Sequence, residues 1–323
     1  MSQALTMDVP RLMPRTRSFA PGVARASHAD SRVERVAAVI TVLVPMIGLV
    51  AAIGLLWNIA ISSVELSLLI GMYLLTAMGL SLGFHRQFSH QSFKTTPAIR
   101  ALLAILGSMA AEGPVIFWAA THRRHHQFSD REGDPHSPNL HGHGIGGALR
   151  GLWHAHVGWL FVHHVTDPGR WTPDLLRDRL VFRISQQYFL WVAAGLAIPA
   201  VIGGLAHGSL HGALLGFLWG GLVRMFVAHH TTWGTNSLSH MIGARPYATR
   251  DNSRNNFLLA LLTLGDGWHN NHHAFPTSAS HGLEWWEIDI NRGILFLLKQ
   301  LGLAWDIRKA PPAARRQGLL ATE

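Results

Sequence analysis

Cysteine is absent from all 323 residues, which removes disulfides, thiolate metal sites and cysteine nucleophiles together. Any transition-metal site must be built from His, Asp, Glu or Asn. Charge is scarce too: 14% of residues are charged while 48% are hydrophobic, too oily for an ordinary soluble protein of this length. The net charge of +9 is carried mostly by Arg, yet no basic and aromatic nucleic-acid motif accompanies it, so no nucleic-acid partner is expected. The excess reads instead as the Lys and Arg that membrane proteins keep in cytoplasmic loops. Also missing are the Glu-x-x-His pair of carboxylate-bridged two-metal sites, the His-Glu-x-x-His of zinc proteases and a haem-binding His-Pro-Gly-Gly. Gly142, Gly144 and Gly147 match Gly-x-Gly-x-x-Gly, but no strand-forming run precedes them, so no nucleotide is expected there.

What the chain does have is long apolar runs. Four match the ~20 residues needed to cross a bilayer: residues 36–57, 64–84, 188–206 and 210–228. Short uncharged turns join them in pairs, which gives two hairpins. Glu65 lies near enough to an end of the second span to reach water, and Arg224 is placed to snorkel from the fourth. A fifth run, Ala101 to Ala111, is about half the required length and reads as an interfacial or buried helix that does not cross. Residues 1–35 are polar, with Pro10, Pro14 and Pro21, and read as a disordered basic arm. The fold expected is an all-α integral membrane protein: a domain over 36–306, a helical cap formed by 85–187 and 229–306, and a tail over 307–323. Every Lys and Arg lies outside the two short turns, so the positive-inside rule puts both termini and the cap in the cytoplasm.

Histidine is abundant, with 22 residues. His122, His125 and His126 fall at i, i+3 and i+4, which on a helix puts three imidazoles on one face. The bland alternative is a polar helix face with a chance His run. The spacing recurs in His269, His272 and His273, while Asn236 and His240 fall at i, i+4 just beyond the last span. His85 and His90 follow the second span; five apart, they are roughly 140° apart on an ideal helix and can share a metal only if the helix ends or distorts. A break is expected near Gly83 or Arg86. Nine candidate ligands are too many for one metal and suit two. Imidazole accepts iron, copper, nickel or zinc, so spacing does not choose the metal. Ligating imidazoles commonly give their second nitrogen to a carboxylate, for which Asp130, Glu132, Asp134 and Asp266 are candidates, with solvated surface carboxylates as the alternative. His136, His154, His156, His229 and His230 could stand behind the ligands or be ordinary satisfied histidines. His141 and His143, in a glycine-rich loop, read as surface residues.

The set His-Arg-x-x-Ser-His, His-Arg-x-His-His, Asn-Ser-x-x-His and His-Asn-x-His-His resembles the membrane fatty-acid desaturases, specifically the acyl-CoA or acyl-lipid Δ9 (stearoyl-CoA desaturase-like) branch. The resemblance runs from about Leu74 to Ile290 and includes Gly133-Asp-Pro-His136, Trp153 to Trp159 and Gly265-Asp-Gly-Trp268. It implies a non-haem di-iron site in which His85, His90, His122, His126 and His272 hold one iron. His125, His240, His269 and His273 would hold the other, with Asn236 acting through a water. The implied reaction takes O2 and two electrons from an external ferredoxin or cytochrome b5 and inserts a cis double bond into a saturated acyl chain. Because a methylene offers no polar handle, the chain must be positioned by an apolar tunnel, for which Leu69, Met72, Tyr73 and Trp118 are candidate lining residues. A related membrane di-iron hydroxylase or ketolase is the rival within the class. A metal transporter is the rival outside it, but transporters keep ligands near the middle of the bilayer, often in repeated halves.

Overall fold

A computed structural model describes residues 20–25, 28–56, 61–162, 164–313 and 315. Among them four helices are long and apolar enough to cross a membrane: Arg35–Leu55, Ser63–Ser89, Tyr188–His207 and Leu210–His240. The structure is mostly helical, and its four expected spans are all present. Their outer faces carry large exposed apolar residues such as Ile47, Val50, Leu205 and Leu210, the pattern of helices whose solvent is lipid.

The third and fourth spans close on each other through small residues: a Cβ at Gly203 would lie 2.4 Å from the Gly212 carbonyl oxygen, and one at Gly216 2.1 Å from that of Pro199. Without a hydrophobic force between helices in lipid, such backbone proximity is what packing rewards. Gly208, at φ 59°, ends the third span in the left-handed conformation. The turn of the first hairpin includes residues 57–60, which lie outside the described residues.

Several boundaries and side chains depart from the expectations. Glu65 does not reach water; it is buried, completes a capping box with Ser62, and binds His207 Nε2 at 2.7 Å, tying the second span to the end of the third. Arg224 does not snorkel. It is fully buried and donates to the carbonyls of Gly220 (3.2 Å), Met109 (2.8 Å) and Gly195 (2.9 Å), so backbone oxygens replace the water its guanidinium would otherwise seek. The helix Pro97–Met109, capped by Thr96, is ~20 Å long and cannot cross. It is wedged against the second and third spans, with Leu103, Ala104, Leu106 and Met109 buried. Of the basic arm, residues 1–19 and 26–27 lie outside the described residues, but Val23–Arg25 pairs antiparallel with His164–Thr166, and the first helix already begins at His28. Residues 316–323 of the tail also lie outside.

The helices of the second and fourth spans run on beyond their apolar stretches to carry the candidate ligands, which is why they are longer than expected. In the second, Gly79–Ser89 is wound as a π-helix. No break occurs at Gly83 or Arg86; the helix widens instead, and His90 N–H donates to the His85 carbonyl at 3.1 Å, an i→i+5 bond. Widening turns the five-residue spacing into one turn and brings the two imidazoles onto one face, their centroids 5.1 Å apart. Gly79 lets this segment press on the neighbouring helix, since a Cβ there would meet Gly107 N at 2.1 Å. The fourth span has its own π-helical stretch, Phe217–Val223.

Candidate metal centre

Four segments converge above the spans: the end of the second span, the helix Val115–Phe128, the end of the fourth span and the short helix His269–Ala274. They assemble two groups of imidazoles, His85, His90, His122, His126 and His272 in one, and His125, His240, His269 and His273 in the other, with candidate ligand atoms within 4.8 Å of one another in each group. His122 and His126 fall in the first group and His125 in the second, so one helical turn serves both. The same division occurs in His269–Ala274, where His272 joins the first group and His269 and His273 the second.

The short helix is fixed by its interior asparagines. Asn255 Oδ1 accepts from the backbone of Asn270 (2.9 Å) and Asn271 (3.1 Å), while Asn271 donates to Glu287 at 2.8 Å and Asn270 accepts from Tyr247 N–H at 2.7 Å.

Four of the rings divide their two nitrogens between tasks. Nδ1 of His85, His125, His240 and His273 faces a carboxylate oxygen of Asp266 (2.9 Å), Asp134 (2.9 Å), Asp130 (3.0 Å) and Asp251 (2.7 Å). A carboxylate only accepts, so these rings carry their proton on Nδ1 and present a lone pair at Nε2. The Nε2 atoms point at one another: His85 to His272 at 2.9 Å, His272 to His126 at 2.9 Å, His90 to His122 at 2.8 Å and His240 to His269 at 3.1 Å. Nε2 of His125 and of His273 is buried without any partner. Converging lone pairs and orphaned nitrogens in an all-imidazole cage fit a pair of transition-metal cations.

Burial dominates the titration of the rings outside the spans. His90, His122, His126, His269 and His272 are held well below the usual imidazole value, first by desolvation and then by neighbouring histidines. His273 is pushed down to about 4 by burial in spite of Asp251. His125 goes the other way, because Asp134 beside it outweighs its burial. Asp134 itself is buried yet held down at about 2 by His125. A neutral, unprotonated cage is what a cation requires.

The sign of the pH dependence follows. As pH falls below ~6.5 the unfolded chain takes up protons that the buried rings refuse, so stability is full above that value and is lost on the way to pH 4. His125, whose value is raised, opposes this, and so does Glu112, whose carboxyl burial pushes up to about 8. Six depressed imidazoles outnumber these two groups, so the metal-free protein is expected to show a melting temperature that falls between about pH 6.5 and 4. A thermal scan of chelator-treated protein across that range checks it, and a flat profile would contradict the buried neutral cage.

Of the expected supporting residues, Asp130, Asp134 and Asp266 stand directly behind the candidate ligands His240, His125 and His85, and the His136 ring lies 4.4 Å from that of His125. Glu132 is exposed. His156 and His230 bind each other at 2.9 Å, and His229 binds the Ala110 carbonyl at 2.8 Å. Two residues escaped the sequence reading. Asp251 holds His273, and the buried His281 lies 3.1 Å from Asp266 Oδ1, with its ring tilted against that of His272 at a centroid distance of 4.3 Å. Neither shares a helix with a ligand, so no periodicity could reveal them.

A narrow cavity runs from the first group down between the second and fourth spans, lined by Trp118, Tyr73, Thr231, Thr235 and Asn236 among others. Trp118 stacks on His122 with centroids 5.1 Å apart. Leu69 and Met72 are not among its walls. Leu69, one turn farther back on Tyr73's side of the helix, packs against Trp219 and Leu222 of the fourth span beyond the cavity's end, and Met72 is buried off that face.

Residues 64–295 match the fatty acid desaturase family. The chain belongs to that family. It is thereby an oxidoreductase acting on fatty acyl chains. The chain is 51% identical to the hex-5-enoyl-[acyl-carrier protein] acetylenase of Moorena producens, over 82% of its own length and 83% of that protein. It is 37% identical to the sn-1 stearoyl-lipid 9-desaturase of Anabaena variabilis, over 78% of this chain and 86% of that one. Identity to the chloroplastic palmitoyl-monogalactosyldiacylglycerol delta-7 desaturase of Arabidopsis thaliana is 36%, over 79% and 65%. By their names these relatives differ from one another in bond position and acyl carrier.

Proposed function

We propose that the protein is a non-haem di-iron desaturase that inserts a cis double bond, at carbon 9 as in the stearoyl-lipid relative, into a membrane-borne saturated acyl chain. O2 and two electrons from a separate ferredoxin or cytochrome b5 type donor complete the reaction. The observation that carries this reading is the pair of converging imidazole groups at the head of a cavity leading down between two spans. His85, His90, His122, His126 and His272 would hold one iron, and His125, His240, His269 and His273 the other; Asn236, on the cavity wall with His269, would act through a water. Iron bound there supplies the O2 activation and hydrogen abstraction that an unactivated methylene demands.

The chain's own residues do the positioning. Asp266, Asp134, Asp130 and Asp251 fix ring orientation, the stacked Trp118 walls the head of the cavity, and the surrounding spans exclude water. By the positive-inside rule the histidine side, with both termini, would face the cytoplasm.

A second reading is favoured by the acetylenase relative: the substrate would be an already unsaturated chain on a carrier protein and the product a triple bond. Expression in a host lacking monounsaturated lipids, with mass-spectrometric location of the new unsaturation, separates the two. A cis-monoene from a saturated chain supports desaturation, an alkyne formed only from a supplied alkene supports the second reading, and an alcohol or ketone as main product rejects both.

Tyr73 is the lining residue farthest back along the second span; its hydroxyl donates to the Leu262 carbonyl at 2.5 Å and lies 3.3 Å from Thr231 Oγ1. Replacing it by alanine opens the far end of the cavity and is expected to shift products toward longer chains. An unchanged product profile would remove Tyr73 from the tunnel.

A further inference from the structure

The glycine-rich stretch after the second histidine box has no role in the metal centre, yet it forms a regular helix, Gly144–His156, with two opposed faces. One face is small and buried: Gly147, Gly151 and Ala155. A Cβ at Gly151 would fall 1.9 Å from the Pro138 carbonyl oxygen and one at Gly147 2.3 Å from that of Gly142, so the helix is seated on this face and cannot roll. About 200° around from it, at the same spacing, lie Ile145, Leu149 and Trp153, which are 83%, 61% and 64% exposed. An apolar stripe fixed outward on a seated helix needs a solvent other than water.

The neighbours say which. His156 binds His230 at 2.9 Å and Ser237 Oγ at 3.0 Å. His230 lies 20 residues beyond Leu210, the start of the fourth span, and so ~30 Å along it, the thickness of the hydrocarbon layer. Immediately after the helix, the turn Gly158–Phe161 packs on the helix of the first span, whose outer residues Val36, Val39 and Ile40 are themselves exposed. The stripe is therefore anchored where two spans leave the lipid, on the side of the histidines. Beside it Leu149, Arg150, Trp153, His141 and His154 line a shallow open recess, with Arg150 exposed.

We propose that Gly144–His156 is a membrane-surface helix that sinks Ile145, Leu149 and Trp153 into the leaflet on the histidine side and offers Arg150 to lipid phosphate. Apolar side chains on one face with an arginine at headgroup height are the pattern of interfacial helices. The proposal rests on the membrane placement of the spans and not on the metal or the reaction.

Because the chain has no cysteine, a single introduced thiol carries a spin label without background. Ile145→Cys and Leu149→Cys, each labelled in the full-length protein in phosphatidylcholine and phosphatidylglycerol nanodiscs, are compared with Leu205→Cys on the lipid face of the third span and Arg131→Cys on the cap. Collision with O2 relative to a water-soluble nickel complex is expected to match Leu205→Cys at both positions. A ratio matching Arg131→Cys at both overturns the proposal. So does low collision with both reagents that depends on added ferredoxin or acyl carrier protein, which would make the stripe a protein-docking face.

Discussion

Replacing His272 with alanine is expected to abolish activity, by more than about 100-fold, while iron content falls by about half. His272 is the hub of the five-histidine group: its Nε2 lies 2.9 Å from Nε2 of both His85 and His126. Removing it opens that group on one side and leaves two lone pairs facing an empty space. The other group keeps His125, His240, His269 and His273, so its metal is expected to remain. The fold should survive, because the helix carrying His272 is held by the side chains of Asn255, Asn270 and Asn271. Iron analysis and product assay on the purified variant, beside its melting curve, check all three parts. Full iron together with full activity would remove His272 from the centre.

The second large effect concerns Arg86, fully buried at the base of the site. Its Nη1 donates to both oxygens of Asp289 (3.1 and 3.0 Å) and to the Ala279 carbonyl (2.7 Å), and its Nη2 to Asp266 Oδ1 (3.1 Å). Asp289 also accepts the His281 N–H at 2.7 Å and caps the helix Ile290–Gln300. Asp289→Ala leaves a buried guanidinium short of one carboxylate and is expected to cost about 3–5 kcal/mol, the range for breaking a buried ion pair from one side. Asp266, the remaining carboxylate, would then be drawn from His85, so iron should be lost as well. Replacing both partners, as Arg86→Met with Asp289→Leu, is expected to destabilise less than Asp289→Ala alone, because no guanidinium is stranded and Asp266, which also loses Arg86, keeps His85 and His281 beside it. Melting temperatures of the two variants decide; a single variant as stable as the parent would contradict the buried pair.

The parts of the fold legible beforehand were those that repeat locally. Long apolar runs marked the four spans, and i, i+3, i+4 spacing marked both histidine triplets, because helix geometry alone decides which residues share a face. Length alone showed that the helix now seen as Pro97–Met109 could not cross. Illegible parts depended on contacts distant in sequence. Arg224 was assigned to the interface on the usual cost of a charge in lipid, whereas carbonyls from two other helices satisfy it in place. Asp251 reaches His273 from a loop without pattern, and His281 arrives from beyond the last box. On the second span Tyr73 reaches the cavity wall, whereas Leu69, one turn back on the same face, lies beyond its end and Met72 lies off that face, so spacing alone shows neither where the cavity stops nor how the winding of the helix turns each side chain.

The widened stretch Gly79–Ser89 has a consequence for that winding. Each π turn holds an extra residue, so it resets the angular phase of everything after it relative to everything before. The lipid-facing half of the second span and its histidine-bearing end are thus clocked independently: a side chain can be exchanged in either without re-aiming the other, whereas losing one residue between Gly79 and Phe84 would swing His85 and His90 together by ~100° against the rest of the helix.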